Sequence, residues 1–497
     1  MNRLKSKTIL ISFIFFLFPL LSSAKEPAQI DQSPHIHVNS TYEIPQKVLD
    51  KLLKAYEKQD IHPKERAWQI DEWIRRYKEL VSLIRKRAGN NKQAQEEALA
   101  QLYEGNLGSM ERVLQSMMQS ASKGGEQGRS VALDYELGIL KELQFKHKEA
   151  IPFYEKALEL EPKNLEYLSK SGHVYYRLGE YDKAMSFYRT ALVVAKKVYG
   201  ENSPRAAAQF NNLGETWFRL GSTNRAISNY EEALRIDKAA FGKKHPRLIR
   251  KLSNLGDAWY KLGEHKQAVA YHTKALKNAK EAYGDGHPSL LVHFFNLGED
   301  WHGRGRYREA IRYYEQALEI ERSAYGEGQP SLVFYLNNLA EAWRALGNTT
   351  KAITYYEEAL EIDKKAFGEV NERVAKKMNS LADTWRANGN FSKAIDLYNQ
   401  AMKINKKLYG QDHPEITQGL NNLGELLLSV GQYKEAINFY EQALEIDKKA
   451  NGQEHATVAR DLNHLAEAWL ALGDNQKALS YFEQAERLML KELGKER

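Results

Sequence analysis

The stretch Asn212-Leu213-Gly214-Glu215-Thr216-Trp217 returns, whole or as a near copy, at a fixed interval of 42 residues. Its Gly or Ala position falls at Gly214, Gly256, Gly298, Ala340, Ala382, Gly424 and Ala466. Two earlier copies place it at Gly172 and, 34 residues before that, at Gly138. A fixed period of this size means stacked supersecondary units, none of which buries its apolar face without a neighbour. Twelve residues beyond the Gly/Ala stands an alanine, from Ala150 and Ala184 through to Ala436 and Ala478. An aromatic or histidine follows four later, as in Tyr230, His272, Tyr314 and Phe482, and a second alanine three beyond that, as in Ala233 and Ala443. These spacings set small residues on one helical face, where backbones approach closely, with aromatics filling the space beside them. The unit is therefore a pair of antiparallel helices.

This pattern resembles the tetratricopeptide repeat, with its small residue early in the first helix and its alanines on the second. The resemblance covers about residues 131 to 490 in nine copies. The first copy, Leu137-Gly138 through Tyr154, Ala157 and Pro162, has the 34-residue form. Later copies add eight residues through a longer second helix and a linker such as Tyr283-Gly284-Asp285-Gly286-His287-Pro288. The longer variant, with Leu-Asn-Asn-Leu-Gly-Glu at 420 to 425 and Tyr-Gly-Gln-Asp-His-Pro at 409 to 414, is similar to the repeat of kinesin light chains. The resemblance implies an all-α fold, a superhelical solenoid of antiparallel helix pairs over 131–497. Kinesin light chains also carry a long coiled coil ahead of their repeats and no leader, whereas residues 45 to 120 here show only short helices. A motor-cargo role is therefore not carried over.

The linkers need no ligand to explain them. Gly200, Gly242, Gly284, Gly326, Gly368 and Gly410 suit left-handed helix stops, and Pro204, Pro246, Pro288, Pro330 and Pro414 suit the first turn of the next helix. His245, His287 and His413 precede three of those prolines, but Gln329 and Asn371 stand at the same place elsewhere, so we expect loop packing or capping and no metal. Three residues after the Gly/Ala come Trp217, Trp259, Trp301, Trp343, Trp385 and Trp469, with Leu427 the exception. We expect these indoles in the core between repeats, where truncation to Ala would cost about 3–5 kcal/mol.

A second signal lies at the start. Arg3, Lys5 and Lys7 precede an apolar run from Ile9 to Leu21, followed by Ser22-Ser23-Ala24, the pattern of a secretory signal peptide over 1–24. The run falls short of the ~18 to 20 apolar residues that span a bilayer, so an uncleaved membrane anchor is the alternative. The chain has no cysteine, hence no disulfide and no lipid attachment of the lipoprotein type. Its 72 basic and 65 acidic residues are interspersed at helical spacing without a long basic block, which argues against nucleic acid as a partner. Residues 25–44, with Pro27 and Pro34, read as a linker, and His35 and His37 there are too sparse for a metal site. From 45 to 130 we expect a helical region. Ile70, Trp73, Ile74, Tyr77, Val81 and Ile84 share one face of a helix, and residues 92 to 120 form a degenerate repeat that caps the array or, alternatively, a dimerising pair.

In tetratricopeptide arrays the first helices line the concave side, and groove positions lie six, three and two residues before the Gly/Ala and one after it. By resemblance these are Asn211, Asn337, Asn379, Asn421 and Asn463 in one row and Asn212, Asn254, Asn296, Asn338 and Asn422 in the next. The position after the Gly/Ala is acidic in all seven 42-spaced copies: Glu215, Asp257, Glu299, Glu341, Asp383, Glu425 and Glu467. Such amides can hold an extended peptide backbone, and the acids suit a ligand segment containing Lys or Arg. The competing reading is that the amides bridge adjacent repeats and the acids pair with Arg219, Arg250, Lys261, Arg344, Lys376 and Arg386.

Mid-array, Phe295 takes a place usually held by Asn, and Val292 and Phe334 occupy positions that are charged or polar in most neighbours. His302 and Gly303 replace the pair Tyr260-Lys261, which would open space for an apolar anchor pocket. Mutual packing of the two phenylalanines is the alternative. No phosphate loop, nucleophile elbow or zinc-helix motif occurs, so neither catalysis nor a cofactor is expected. The sequence thus points to an exported, periplasmic or secreted, adaptor that binds a protein or peptide in a groove. A cytosolic or membrane-anchored adaptor and an oligomeric scaffold without a peptide ligand are the alternatives.

Overall fold

The computed structural model describes residues 38–39, 43–57, 63–86, 92–125 and 127–495. The expected leader and most of the expected linker lie outside them. Among the described residues the one extended pairing joins Val38–Asn39 to Ile44–Pro45; everything else of regular structure is helix. Four helices precede the array: α1 (Gln46–Glu57), α2 (Pro63–Lys86), α3 (Lys92–Tyr103) and α4 (Leu107–Lys123).

Nine helix pairs follow. They are α5 (Gln127–Leu143) with α6 (His147–Leu160), α7 (Leu165–Arg177) with α8 (Tyr181–Tyr199), and α9 (Pro204–Arg219) with α10 (Thr223–Phe241). Next come α11 (Arg247–Lys261) with α12 (His265–Tyr283), α13 (Leu291–Gly303) with α14 (Tyr307–Tyr325), and α15 (Leu332–Ala345) with α16 (Thr349–Phe367). The last are α17 (Glu372–Ala387) with α18 (Phe391–Tyr409), α19 (Glu415–Ser429) with α20 (Tyr433–Asn451), and α21 (Ala456–Leu472) with α22 (Asn475–Lys495). Each pair packs internally, and each second helix lies against the following first helix. The hairpin of α3 and α4 turns at Gly105 (φ +66°), and α4 lies against α5 as a preceding second helix would.

Within a pair the small residue is required by an aromatic ring. A Cβ built at Gly298 would stand 2.3 Å from Tyr314 Cε1, and one at Gly256 2.3 Å from the His272 ring. The rings themselves are buried. Between pairs, a buried carboxylate near the end of the second helix reaches a base on the next first helix: Asp237 meets Lys251, Asp363 meets Arg373, and Asp447 meets Arg460. This staple holds successive repeats in register as well as apolar packing does.

Two expectations are corrected by the structure. The linker glycines do not adopt the left-handed helical conformation: Gly368 has φ +82° and ψ 163°, an extended form with positive φ that only glycine occupies readily. The tryptophans are half-buried. One face packs on the core, and at Trp217, Trp343, Trp385 and Trp469 the other is covered by a base eight residues on, as in Lys351 over Trp343 at 3.8 Å and Lys477 over Trp469 at 3.7 Å. Their truncation should therefore cost less than a fully buried indole, about 2–3 kcal/mol. The linker histidines cap helices as expected. Nδ1 of His245, His287 and His413 accepts the backbone N–H two residues on, and each ring stacks on Phe241, Tyr283 or Tyr409.

Candidate functional site

The row of first helices does not run flat. Helix α2 touches both α5 and α13, the first helices of repeats 1 and 5. Helices packed side by side stand ~8–10 Å apart, so a flat row would separate these two by about 35–40 Å. Yet Asp71 accepts a hydrogen bond from Ser289 beside α13, while Trp73 Nε1 donates to the Leu143 carbonyl at the end of α5. Two residues of a helix advance only ~3 Å. The row must therefore curl around α2, which occupies the hollow of repeats 1 to 5.

That seat is polar as well as apolar. Ile70, Trp73, Ile74, Tyr77, Leu80 and Ile84 are buried in the same core as α1 and α3 to α6. On the opposite side Arg76 bonds Glu142 and, at 2.9 Å, Glu72, with His173 of α7 at 2.7 Å. Glu79 meets Lys170 at 2.7 Å and Tyr135 at 2.9 Å. Burial alone would raise Glu142, but Arg76 and His173 outweigh it and hold the carboxyl well below the usual range. Six buried apolar side chains at ~1.5–3 kcal/mol each exceed any single competing contact, so α2 belongs to the folded array at neutral pH.

The predicted groove residues fall into two groups. In repeats 3 to 5 they bond one another. Asn211 donates to Glu215, Arg250 holds Glu215 through two bonds of 2.8 and 2.9 Å, and Asn254 donates to both Asn211 and Glu215. Asn296 reaches Ser253 and Asp257. His272, standing where other repeats have Tyr, lies between Asp257 at 3.1 Å and Asp300 at 2.7 Å. Burial pulls its imidazole down, but the bonds to the two aspartates prevail and raise it to about 9. Glu299 and, in repeat 7, Asp383 accept the phenol protons of the buried Tyr314 and Tyr398.

In repeats 6 to 9 the row is more open. Glu341, Glu425 and Glu467 are exposed, and among the described residues Glu341 and Glu467 have no hydrogen bond or ion pair. Glu425 is 45% exposed and meets Arg386 at 3.3 Å. Asn337 accepts from Lys377, whose ammonium burial draws down to about 8; Asn338 donates to the Phe334 carbonyl; Asn421 donates to Asp461. Asn212, Asn379 and Asn422 are half-buried, and Asn379 Oδ1 is enclosed without a partner. Of the candidate partners for the acids, Arg250 and Arg386 do pair with the row. Arg219 instead donates to Tyr176, Lys261 to the Phe218 carbonyl, and Lys376 pairs with Glu372.

The residues proposed for an apolar anchor are brought together but as packing. Phe295 is 3% exposed and lies 4.8 Å from Phe334, 5.7 Å from Tyr314 and 6.2 Å from Tyr335. Val292 and His302 are half-buried, the latter against Tyr307. Gly303 opens no space, because the His265 ring fills it: a Cβ there would stand 2.7 Å from His265 Cε1.

Models of the tetratricopeptide repeat match the chain at 135–164 and then in overlapping windows from 165–239 through 415–491, well over half its length. The chain belongs to the tetratricopeptide repeat family. Among solved structures it is similar to the nearly identical repeats of a putative kinesin light chain from Podosopora anserina, at 27% identity over 41% of this chain and 97% of that one, TM-score 0.38. BtubC from P. vanneervenii matches at 26% identity over 46% of this chain and 92% of its own, TM-score 0.40. PilW, a type IV pilus biogenesis factor, matches at 20% over 50% and 97%, TM-score 0.39. No curated protein matches. Tetratricopeptide arrays serve as protein–protein interaction scaffolds, and this chain has that architecture. The sequence reading missed the seat of α2 and the His272 cluster. In both cases a signal existed as a departure from pattern: His173 and Ile139 replace the acid of later repeats, and Asp300 replaces the Ala or Thr of most others.

Proposed function

We propose that the chain is an exported adaptor that docks a protein segment on the first helices of repeats 6 to 9. The observation that supports this is the exposure of Glu341, Glu425 and Glu467, against the internal bonding of Glu215 and Asp257 where α2 fills the hollow. Because half of the groove asparagines already bridge repeats, recognition rests on side-chain charge more than on an amide ladder. A segment carrying Lys or Arg fits the exposed acids, and its binding weakens as salt rises. The test is capture by residues 25–497 in parallel with the variant Glu341→Gln/Glu425→Gln/Glu467→Gln, with matched melting curves. Partners retained by the native array and lost by the variant support the reading; equal recovery by both removes it. Export follows the leader at 1–24, and protein taken from its native host should begin at Lys25.

A scaffold reading has one observation in its favour. Leu479 is 60% exposed, whereas its counterpart Ile437 is 5% exposed beneath the next repeat. Light scattering of the native chain and of Leu479→Glu decides whether that face joins copies.

A further inference from the structure

Where α2 crosses repeats 1 and 2 there is a cavity of about 30 Å³, room for about one water, walled by Glu72, Arg76, Glu142, His147, His173 and Arg177. Glu72 Oε2, Arg76 Nε and His147 Nδ1 are enclosed there without a hydrogen-bond partner. Two carboxylates face two guanidiniums, so charge balances only while both imidazoles are neutral. The neighbouring acids are already matched, Glu79 by Lys170 of α7 and Glu215 by Arg250 of α11. Tyr56 of α1 and Tyr154 of α6 are pushed upward by burial and remain neutral, and Arg75 of α2 meets Glu72 at 3.1 Å.

We propose that this cluster is an acid-sensitive clasp: protonating His147 and His173 sets two more cations beside Arg76 and Arg177 and loosens α2 from the hollow of the array. Burial draws both imidazoles down, with Arg76 adding to the effect, and His147 falls to about 4. An imidazole lower in the closed form than in the open form favours opening as pH falls. The closed form is thus fully favoured above about 6.5 and progressively lost toward 4. Asp71, held up at about 6, gains its proton over the same range and opposes the opening nearly as strongly as His147 drives it.

The test is hydrogen exchange of the full chain at pH 7.5 and 4.5, corrected for intrinsic rates, with α16 as the internal reference. Taken singly, His147 raises the opening constant of α2 on the order of 50-fold between those pH values and Asp71 lowers it on the order of 25-fold, so the rise is read in Asp71→Asn, where the histidines act unopposed. His147→Gln/His173→Gln should remove most of that rise. The chain has no cysteine, so Asp71→Cys/Ser289→Cys bridged by a short bifunctional maleimide tethers α2 to repeat 5, and this too should suppress it. The proposal is overturned if α2 tracks α16 in Asp71→Asn, if the double Gln change made in that background keeps the full rise, or if the tethered protein shows it unchanged. Should the Gln variant fail to fold, the tether alone decides. None of these outcomes touches docking on repeats 6 to 9.

Discussion

Replacing Arg76 by Met should release α2 more than any other single change on that helix. Arg76 is 4% exposed and joins Glu142, Glu72 and His173. Methionine keeps most of the aliphatic volume but leaves Glu142, whose side chain is fully buried, with only Tyr154 at 2.6 Å and His173 at 3.4 Å. Removing one partner of a buried ion pair costs about 3–5 kcal/mol, because the remaining charge stays desolvated. Proton uptake by His173 can offset part of this, so we expect about 3 kcal/mol, concentrated in α2 and repeats 1 and 2. The second change Glu142→Gln removes the stranded charge, and the double variant should recover at least ~1.5 kcal/mol relative to the sum of the singles. Urea unfolding followed by tryptophan fluorescence gives the total, and hydrogen exchange locates it, since a repeat array need not unfold in one step. A single variant within ~0.5 kcal/mol of native, or strict additivity in the double, would refute the assignment of Arg76 as the polar anchor.

Further outcomes can be checked on the array itself. His272→Tyr should destabilise by roughly 2–3 kcal/mol, because Asp300 is left buried without its cation, and adding Asp300→Ala should restore most of it; thermal unfolding reads both. His272 sits at about 9 in the fold against an ordinary 6.5, so its contribution is complete below about 6.5 and disappears as pH rises through 9. The native chain should lose several degrees of melting temperature between pH 7 and 10 that the His272→Tyr/Asp300→Ala variant does not lose. Phe295→Asn with Phe334→Lys should lower the melting temperature by several degrees through lost packing; an unchanged value would reopen the pair as a ligand pocket. Gly298→Ala should cost about 1–3 kcal/mol, because its Cβ alone displaces the buried Tyr314 ring, and Gly298→Val more, both read by chemical denaturation.

How much of this was legible depends on whether a residue repeats. Gly214, Tyr230 and Ala233 recur at a fixed interval, and the period carried the fold because every copy solves the same packing problem. Glu72, Arg76 and Glu79 occur once, at spacings that a solvated helix face also shows, and nothing local distinguishes a charge bound for water from one bound for Glu142 or Lys170. The apolar face of α2 was readable, whereas its polar face was decided by curvature, a property of five stacked repeats. The acid row was visible as a row. That Glu215 turns to Arg250 while Glu341 stays open follows from neighbours 35 residues or more away, which a periodic reading treats as equivalent.

The seating of α2 has a mechanical consequence. A solenoid of stacked pairs behaves as a spring, each joint giving by a small rotation that accumulates along its length. A stiff rod fixed to the first and fifth coils removes that freedom between them, so repeats 1 to 5 should answer a pull as one rigid block and repeats 6 to 9 as the compliant segment. Stretched from its two ends, the molecule should lengthen first near its C-terminal coils, and a partner seated there would feel, and alter, nearly all of its elasticity.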